Sequence, residues 1–270
     1  MVGKLLEVLH WNIEQRKEIA VAFSTRRGGA SALPVNGLNL GLHVGDDRQL
    51  VLDNRQKLFN ALSLFLDDLV LGQQVHSAQV ELVEERHAGR GAWWAEEALP
   101  RVDAMITNTP GLVLAGCYAD CVPVFIIDPA HGAVALVHAG WRGTGENIAV
   151  RAWKAMGECF GSKSDAALAV IGPCVGQCCY QVDEPVVDAM QSHWWWSHVS
   201  QPEDQRWRID LGLANQLQLE ALDIETYNSS LCTSCDPRFY SHRRDGGSTG
   251  RMLGLVTIRR GAGNGHLPRE

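Results

Sequence analysis

No apolar run in this 270-residue sequence is long enough to cross a bilayer. Each run is broken by Pro, Asp or Gly well short of the ~20 residues a spanning helix needs. The opening stretch Met1-Val-Gly-Lys-Leu-Leu-Glu-Val-Leu-His10 carries no signal-peptide cleavage pattern. A soluble, cytoplasmic protein is the expectation. Positive charge is also in the minority: 24 Lys and Arg stand against 31 Asp and Glu, a formal net charge of −7. That balance argues against nonspecific binding to nucleic acid or membrane surfaces, and leaves phosphate-bearing small molecules open through local pairs such as Arg243-Arg244. Repeats and low-complexity linkers are absent, so residues 1–270 are read as one domain. Its acidity is compatible with a monomer or a homodimer.

Three missing motifs narrow the chemistry. The Gly-rich stretch after His138 lacks the Lys-Ser/Thr ending of a P-loop. A cytidine-deaminase zinc site needs His-x-Glu and Pro-Cys-x-x-Cys, whereas here His138-Ala-Gly has no Glu and Pro173-Cys-Val-Gly-Gln-Cys178 is one residue too long. The ten histidines are scattered with no His-x-His pair, which argues against grouped imidazoles for several coppers.

Hydrophobic residues, at 46% of the chain, suffice for a substantial core. Their periodicity predicts strands at Ile19–Ser24, Asp68–Val75, Gln79–Glu84, Ala104–Thr107, Leu112–Tyr118, Ala166–Ile171 and Met252–Ile258. Helices are predicted over Gln49–Phe65, from Gly143-Thr-Gly-Glu-Asn147 onward with Ile148, Ala152, Met156 and Phe160 on one face, and over Leu211–Leu222. The elements intermix without strict βα alternation, so an α+β fold of mixed sheets is favoured over a doubly wound parallel sheet.

Metal-capable side chains stand at the ends of apolar runs. Cys121-Val-Pro-Val-Phe-Ile-Ile-Asp-Pro-Ala-His-Gly-Ala-Val-Ala-Leu-Val-His138 reads as strand, turn, strand. Its midpoint lies between Pro129 and Ala130, which sets Cys121 opposite His138, with Cβ atoms ~5 Å apart. A one-residue slip in register would turn one of them to the other face. His76, at a break between two further apolar runs, can supply a third ligand. Two imidazoles and a thiolate suit zinc, with copper as an alternative, and three ligands leave an open fourth position, as in a catalytic site. The same atoms also fit an ordinary buried cysteine with hydrogen-bonded histidines, or a metal-free Cys121–His138 nucleophilic dyad.

Around this set, Asp120 is a candidate acid or base beside Cys121. Arg142, in His138-Ala-Gly-Trp-Arg-Gly-Thr-Gly, places a fork-shaped donor at a Gly-rich helix entry suited to anions. Arg26, in Arg26-Arg-Gly-Gly-Ala-Ser31, and Arg243, in Phe239-Tyr-Ser-His-Arg-Arg-Asp245, are two further candidate clamps for phosphate. Trp194-Trp195-Trp196 is read as core cover or a partly exposed insertion, with aromatic stacking as the alternative. The other cysteines are read as core residues, ligands or nucleophiles; Cys232 and Cys235 could in principle form a closed zinc site with Cys174 and Cys178, but only one Cys-x-x-Cys is present, which argues against it.

Taken together, Phe23-Ser-Thr-Arg-Arg-Gly-Gly, Gly72-Gln-Gln-Val-His76, Ala119-Asp-Cys121-Val-Pro, His138-Ala-Gly-Trp-Arg-Gly and Phe239-Tyr-Ser-His-Arg-Arg-Asp245 resemble the YfiH/YlmD family, often labelled polyphenol oxidase or laccase-domain proteins. The resemblance spans nearly the whole chain. It implies an α/β sandwich of mixed sheets and a zinc site on His76, Cys121 and His138. It further implies a purine nucleoside phosphorylase that also deaminates adenosine and splits methylthioadenosine; for such an enzyme Arg26, Arg142 or Arg243 are our own candidates to hold phosphate. Alternative implications are a peptidoglycan-editing amidase acting on serine-containing UDP-muropeptide precursors and, under the older label, a copper-dependent polyphenol oxidase. A non-enzymatic metal- or nucleotide-sensing module is a further reading. The three-tryptophan segment and the Cys-rich stretch 174–179 depart from the family pattern.

Overall fold

The computed structural model describes residues 6–13, 18–33 and 35–260, so the first five residues of the stretch read for a leader lie outside it. Two mixed sheets dominate. The first has strand order β1-β2-β14-β6-β3, formed by β1 (Val8–Asn12), β2 (Ile19–Ser24), β3 (Leu69–Leu71), β6 (Val113–Tyr118) and β14 (Met252–Ile258). In the second, ordered β13-β9-β7-β8-β5-β4, are β4 (Val80–Leu82), β5 (Ala104–Thr107), β7 (Val122–Asp128), β8 (Ala133–Ala139), β9 (Leu168–Ile171) and β13 (Glu225–Asn228). Parallel pairs β3·β6, β4·β5 and β13·β9 sit among antiparallel ones, as the mixed-sheet expectation required. A small antiparallel sheet joins β10 (Gln181–Val182), β12 (Arg206–Ile209) and β11 (Ser200–Glu203).

Alternation along the strands builds the layers, because successive side chains point to opposite faces. Phe125 and Ile127 of β7, Val134 and Leu136 of β8 and Val170 of β9 meet Val21 and Phe23 of β2, Leu114 of β6 and Val256 of β14 between the sheets. The odd partners, Val124, Ile126, Ala135 and Val137, turn outward onto α3 (Ile148–Phe160) and α6 (Leu211–Glu220) through Ile148, Ala152, Met156 and Leu219. On the far side, Ala22, Val113, Ala115 and Leu255 are covered by Leu58, Phe59 and Leu62 of α1 (Arg48–Leu62). The result is four layers: helix, sheet, sheet, helix. Strands β6, β7, β8 and β14 are buried on both faces, which is why they read as unbroken apolar runs.

Several elements differ from expectation for local reasons. Helix α1 stops at Leu62, because Ser63 is left-handed (φ 55°) and its N–H caps onto Asn60. The Gly-rich stretch does not open the long helix; Trp141–Gly145 forms its own short helix, α2, and left-handed Asn147 separates it from α3. The strand expected over Asp68–Val75 is only Leu69–Leu71, since Gln74 and His76 both have positive φ and bend the chain away. Within the tryptophan cluster, Trp195 is fully buried and stacks on His193 at 4.8 Å, Trp196 packs on Trp207, and Trp194 is exposed. Two short helices, α4 (Glu184–Asp188) and α5 (Trp196–Val199), flank it. Core cover is therefore the role of Trp195.

Candidate metal centre

The β7–β8 hairpin pairs Pro123 with His138 and Val122 with Ala139, so Cys121 lies two residues from the position directly opposite His138 that the sequence midpoint gave it. The cause is the turn. Asp128 remains in the strand opposite Ala133, and its carboxylate accepts the N–H groups of Ala130 and His131 and bonds the His131 ring. This places the bend at Pro129–Gly132, displacing the register while keeping its parity, so Cys121 and His138 stay on one face as diagonal neighbours. That face is the layer between the sheets, and both residues stand where it opens at the strand ends.

His76 arrives from the bend after β3. Its ring meets that of His138 edge-on at 4.9 Å between centroids, and the ligand atoms of His76, Cys121 and His138 lie within 4.8 Å of one another. Left-handed backbone at a non-glycine residue costs roughly 1–2 kcal/mol, and Asp103 holds the bend against it. One carboxylate oxygen accepts the His76 N–H at 3.0 Å, and the other accepts the N–H groups of Val75 and Ser77 and the Ser77 hydroxyl. The oxygen that takes the His76 N–H also bonds His138 Nδ1 at 2.8 Å. One buried carboxylate therefore positions two of the three donors, as partners of metal-binding histidines do.

The electrostatics follow. Burial alone would lower the His138 pKa, but the Cys121 sulfur at its other ring nitrogen and the Asp103 carboxylate raise it to about 9. Burial and then the neighbouring His138 hold His76 below the usual imidazole range. Burial would raise the Asp103 pKa, yet the hydrogen bond and charge of His138 and the two hydrogen bonds from Ser77 together outweigh it and lower it.

Two features fit a metal ion among these donors. His76 Nδ1 is buried with no hydrogen-bond partner. A Cβ on Gly140 would stand 2.5 Å from that nitrogen and 3.4 Å from Cys121 Sγ, so glycine keeps the space open. A cavity of about 540 Å³ has His76 and His138 in its wall, together with Gln74, His43 and Arg251. That volume is within the range of small-molecule sites, roughly 300–1,000 Å³.

The remaining predicted residues divide. Asp120 (φ 100°) accepts the Thr233 hydroxyl and the Arg243 N–H, each at 2.6 Å, and is buried. Both oxygens are occupied in joining the 233–243 loop to the turn that carries Cys121. Arg142 is exposed and lies on the Trp141 ring. Arg243 lies on the Tyr180 ring and donates to the Gln181 carbonyl. Burial and then the charge of Cys121 raise the Tyr180 pKa, and the charges of Arg243 and Arg142 oppose the rise. Arg26 instead donates to the Val35 and Asn36 carbonyls and lies on Tyr240, within its own loop region. Among the cysteines, Cys178, Cys179, Cys232 and Cys235 converge. Cys174, weighed for that group from sequence, is buried in the helix-side core against Gly212.

Asp103 and Gly140 escaped sequence reasoning. The available signals were an acidic residue opening the otherwise apolar run Asp103-Ala-Met-Ile-Thr107, and a glycine two residues after a candidate ligand.

Residues 20–259 match the family model described as multi-copper polyphenol oxidoreductase laccase. A protein named purine nucleoside phosphorylase YlmD, from Geobacillus stearothermophilus, is 42% identical over 86% of this chain and 88% of its own length. The adenosine deaminase RL5, from an unknown prokaryotic organism, is 37% identical over 92% of this chain and 98% of its own. The crystal structure of Bacillus licheniformis YfiH superposes with a TM-score of 0.89 at 36% identity, covering 93% of this chain and 96% of that one. The sequence motifs, the two-sheet sandwich and these likenesses agree, and the chain belongs to the YfiH/YlmD family of laccase-domain proteins.

Proposed function

We propose that this chain is a zinc-dependent purine nucleoside enzyme, which phosphorolyses adenosine, inosine and methylthioadenosine and also deaminates adenosine. The observation that carries the reading is the set of two histidines and one cysteine, whose histidines form part of the wall of a cavity large enough for a nucleoside. The names of the relatives, a purine nucleoside phosphorylase and an adenosine deaminase, support the substrate class.

His76, Cys121 and His138 would hold the ion, which supplies Lewis acidity toward a substrate oxygen or nitrogen. The protein's own groups have distinct tasks. Asp103 keeps the His138 Nδ1 proton, leaving the other ring nitrogen for ligation. Arg142 and Arg243, whose charges both reach Tyr180, are the side chains we assign to phosphate. Asp120, with both oxygens occupied, is assigned a positioning role in place of proton transfer. Arg26 is assigned to its loop.

The oxidase reading draws on the family description, but the donor set weighs against it. Among the described residues the metal-capable groups are one His/Cys/His set and one set of four cysteines, and neither is a cluster of imidazoles.

The test is mass-spectrometric product analysis of the metal-loaded protein with adenosine, with and without phosphate, beside Cys121→Ala. Adenine and ribose 1-phosphate with phosphate, inosine without it, and neither from the variant are the expected products. Normal turnover by a metal-free Cys121→Ala protein would refute the zinc mechanism. No turnover by the wild type would refute the substrate class and make muropeptide precursors the next substrates.

A further inference from the structure

Four cysteines far apart in sequence meet outside the triad. Cys178 and Cys179 lie in the turn before β10, and Cys232 and Cys235 form a Cys-x-x-Cys in the loop after β13. A bridge between Cys174 and Cys232 aligns the two segments. All four sulfurs lie within 4.8 Å of one another; Cys235 Sγ is 3.6 Å from that of Cys178 and 3.3 Å from that of Cys179. Four thiolates around one zinc at ≈ 2.3 Å stand about 3.8 Å apart by tetrahedral geometry. The two closest spacings fall a few tenths of an ångström short of that edge, and every cysteine is a free thiol.

The backbone is arranged for anionic sulfur. Gly176 donates its N–H to Cys232 Sγ at 3.3 Å, and the Cys235 N–H is directed at the same atom. A Cβ at Gly176 would press on the Cys232 Cβ at 3.3 Å and the Cys178 sulfur at 3.4 Å, so a glycine lets this N–H come close. Two guanidinium groups flank the cluster: Arg208 donates to the Cys178 carbonyl, and Arg244 donates to the Thr233 carbonyl at 3.1 Å and the Asp236 carbonyl at 3.4 Å. Each is also paired with a carboxylate, Arg208 with Glu203 at 2.6 Å and Arg244 with Asp245 at 2.8 Å, so their part here is to brace the two backbone segments.

We infer that Cys178, Cys179, Cys232 and Cys235 form a second metal site, a closed four-thiolate centre for a zinc-like divalent cation, separate from the His76–Cys121–His138 set. Four protein ligands leave no open position, so the site is structural. Its ligands adjoin residues that brace the first site. Cys179 precedes Tyr180, whose ring carries Arg243, and Cys232 precedes Thr233, whose hydroxyl holds Asp120. The ion would tie the 174–180 segment to the 229–236 loop, and through them steady the turn bearing Cys121.

The test is elemental analysis of protein purified under reducing conditions, with Cys159→Ser, an exposed cysteine outside both groups, as control. Wild type and Cys159→Ser should carry one metal equivalent more than Cys232→Ser/Cys235→Ser. Cys121→Ala should keep the four-thiolate ion and lose the other. Cobalt-substituted Cys121→Ala should show a strong thiolate-to-metal charge-transfer band that disappears in a variant also carrying Cys232→Ser and Cys235→Ser. Should the double variant fail to fold, thiol labelling of Cys121→Ala decides: a chelator should expose four additional reactive thiols, assigned by peptide mapping to these positions. Unchanged stoichiometry in a folded double variant, full labelling before chelation, or a Cys179–Cys235 disulfide in the native protein would each overturn the inference.

Discussion

Replacing Asp103 by Asn keeps the shape of the side chain and removes its charge, and the structure specifies what must then fail. The carboxylate accepts on both oxygens: His138 Nδ1 and the His76 N–H on one, the Val75 and Ser77 N–H groups and the Ser77 hydroxyl on the other. An amide has one accepting end. If its oxygen stays with Val75 and Ser77, its NH₂ faces the His76 N–H, donor against donor, and can donate to His138 only if that ring shifts its proton to the other nitrogen. That nitrogen is the one aimed at Cys121, so the tautomer required by Asn blocks the ligand. If the amide turns the other way, two N–H groups of the His76 bend lose their acceptor. Each unmet buried group costs ~1–3 kcal/mol, and loss of such a partner lowers metal affinity about 10–100-fold. We expect Asp103→Asn to lose affinity by that factor and stability by roughly 2–4 kcal/mol, measured by competition with a chromophoric chelator and by urea unfolding. A folded variant that binds metal within about twofold of wild type would refute this account of the site.

Gly140→Ala should leave the sheets intact but force His76 back by close to an ångström, far outside the ~0.2 Å tolerance of a ligand set. Elemental analysis should find the triad's metal nearly absent while circular dichroism is unchanged. Arg55 is buried and donates to the carbonyls of Leu40, Gly91 and Ala92. Arg55→Met strands these acceptors and should cost about 2–4 kcal/mol in denaturant titration, without changing metal stoichiometry. Stripping metal from the wild type should lower the unfolding midpoint, because an ion present at about 1,000 times its Kd contributes ~4 kcal/mol. Cys121→Ala should show a smaller drop on the same treatment, and an equal drop would mean the triad holds no ion.

The central layer was legible because strands covered on both faces are apolar throughout: β2, β5 and β14 occur at the residues their patterns indicated. The strands that escaped notice are short or polar, such as Ser200-Gln-Pro-Glu203 and Arg206-Trp-Arg-Ile209, whose pairing rests on backbone bonds with little periodicity to announce it. Convergence of Cys121 and His138 could be read from a hairpin, a local device. Asp103 could not, since its role depends on a bend 26–28 residues away. Likewise, sequence grouped Cys178 with Cys232 and Cys235 but put Cys174 where Cys179 stands, because the backbone β-bridge between Cys174 and Cys232 and the parallel pairing of β9 with β13 that settle the choice have no signature in spacing.

Strand β14 follows every other strand among the described residues, yet it sits in the middle of its sheet, between β2 and β6. During synthesis the five-stranded sheet therefore exists as two unjoined halves until residue 258 has emerged from the ribosome. The six-stranded sheet, by contrast, has all its strands by residue 228. Phe125, Leu136 and Val170 then wait for Val256 to complete their cover. A nascent chain halted before β14 should present that unfinished apolar face to chaperones, and loss of this one strand should be more damaging than loss of any edge strand.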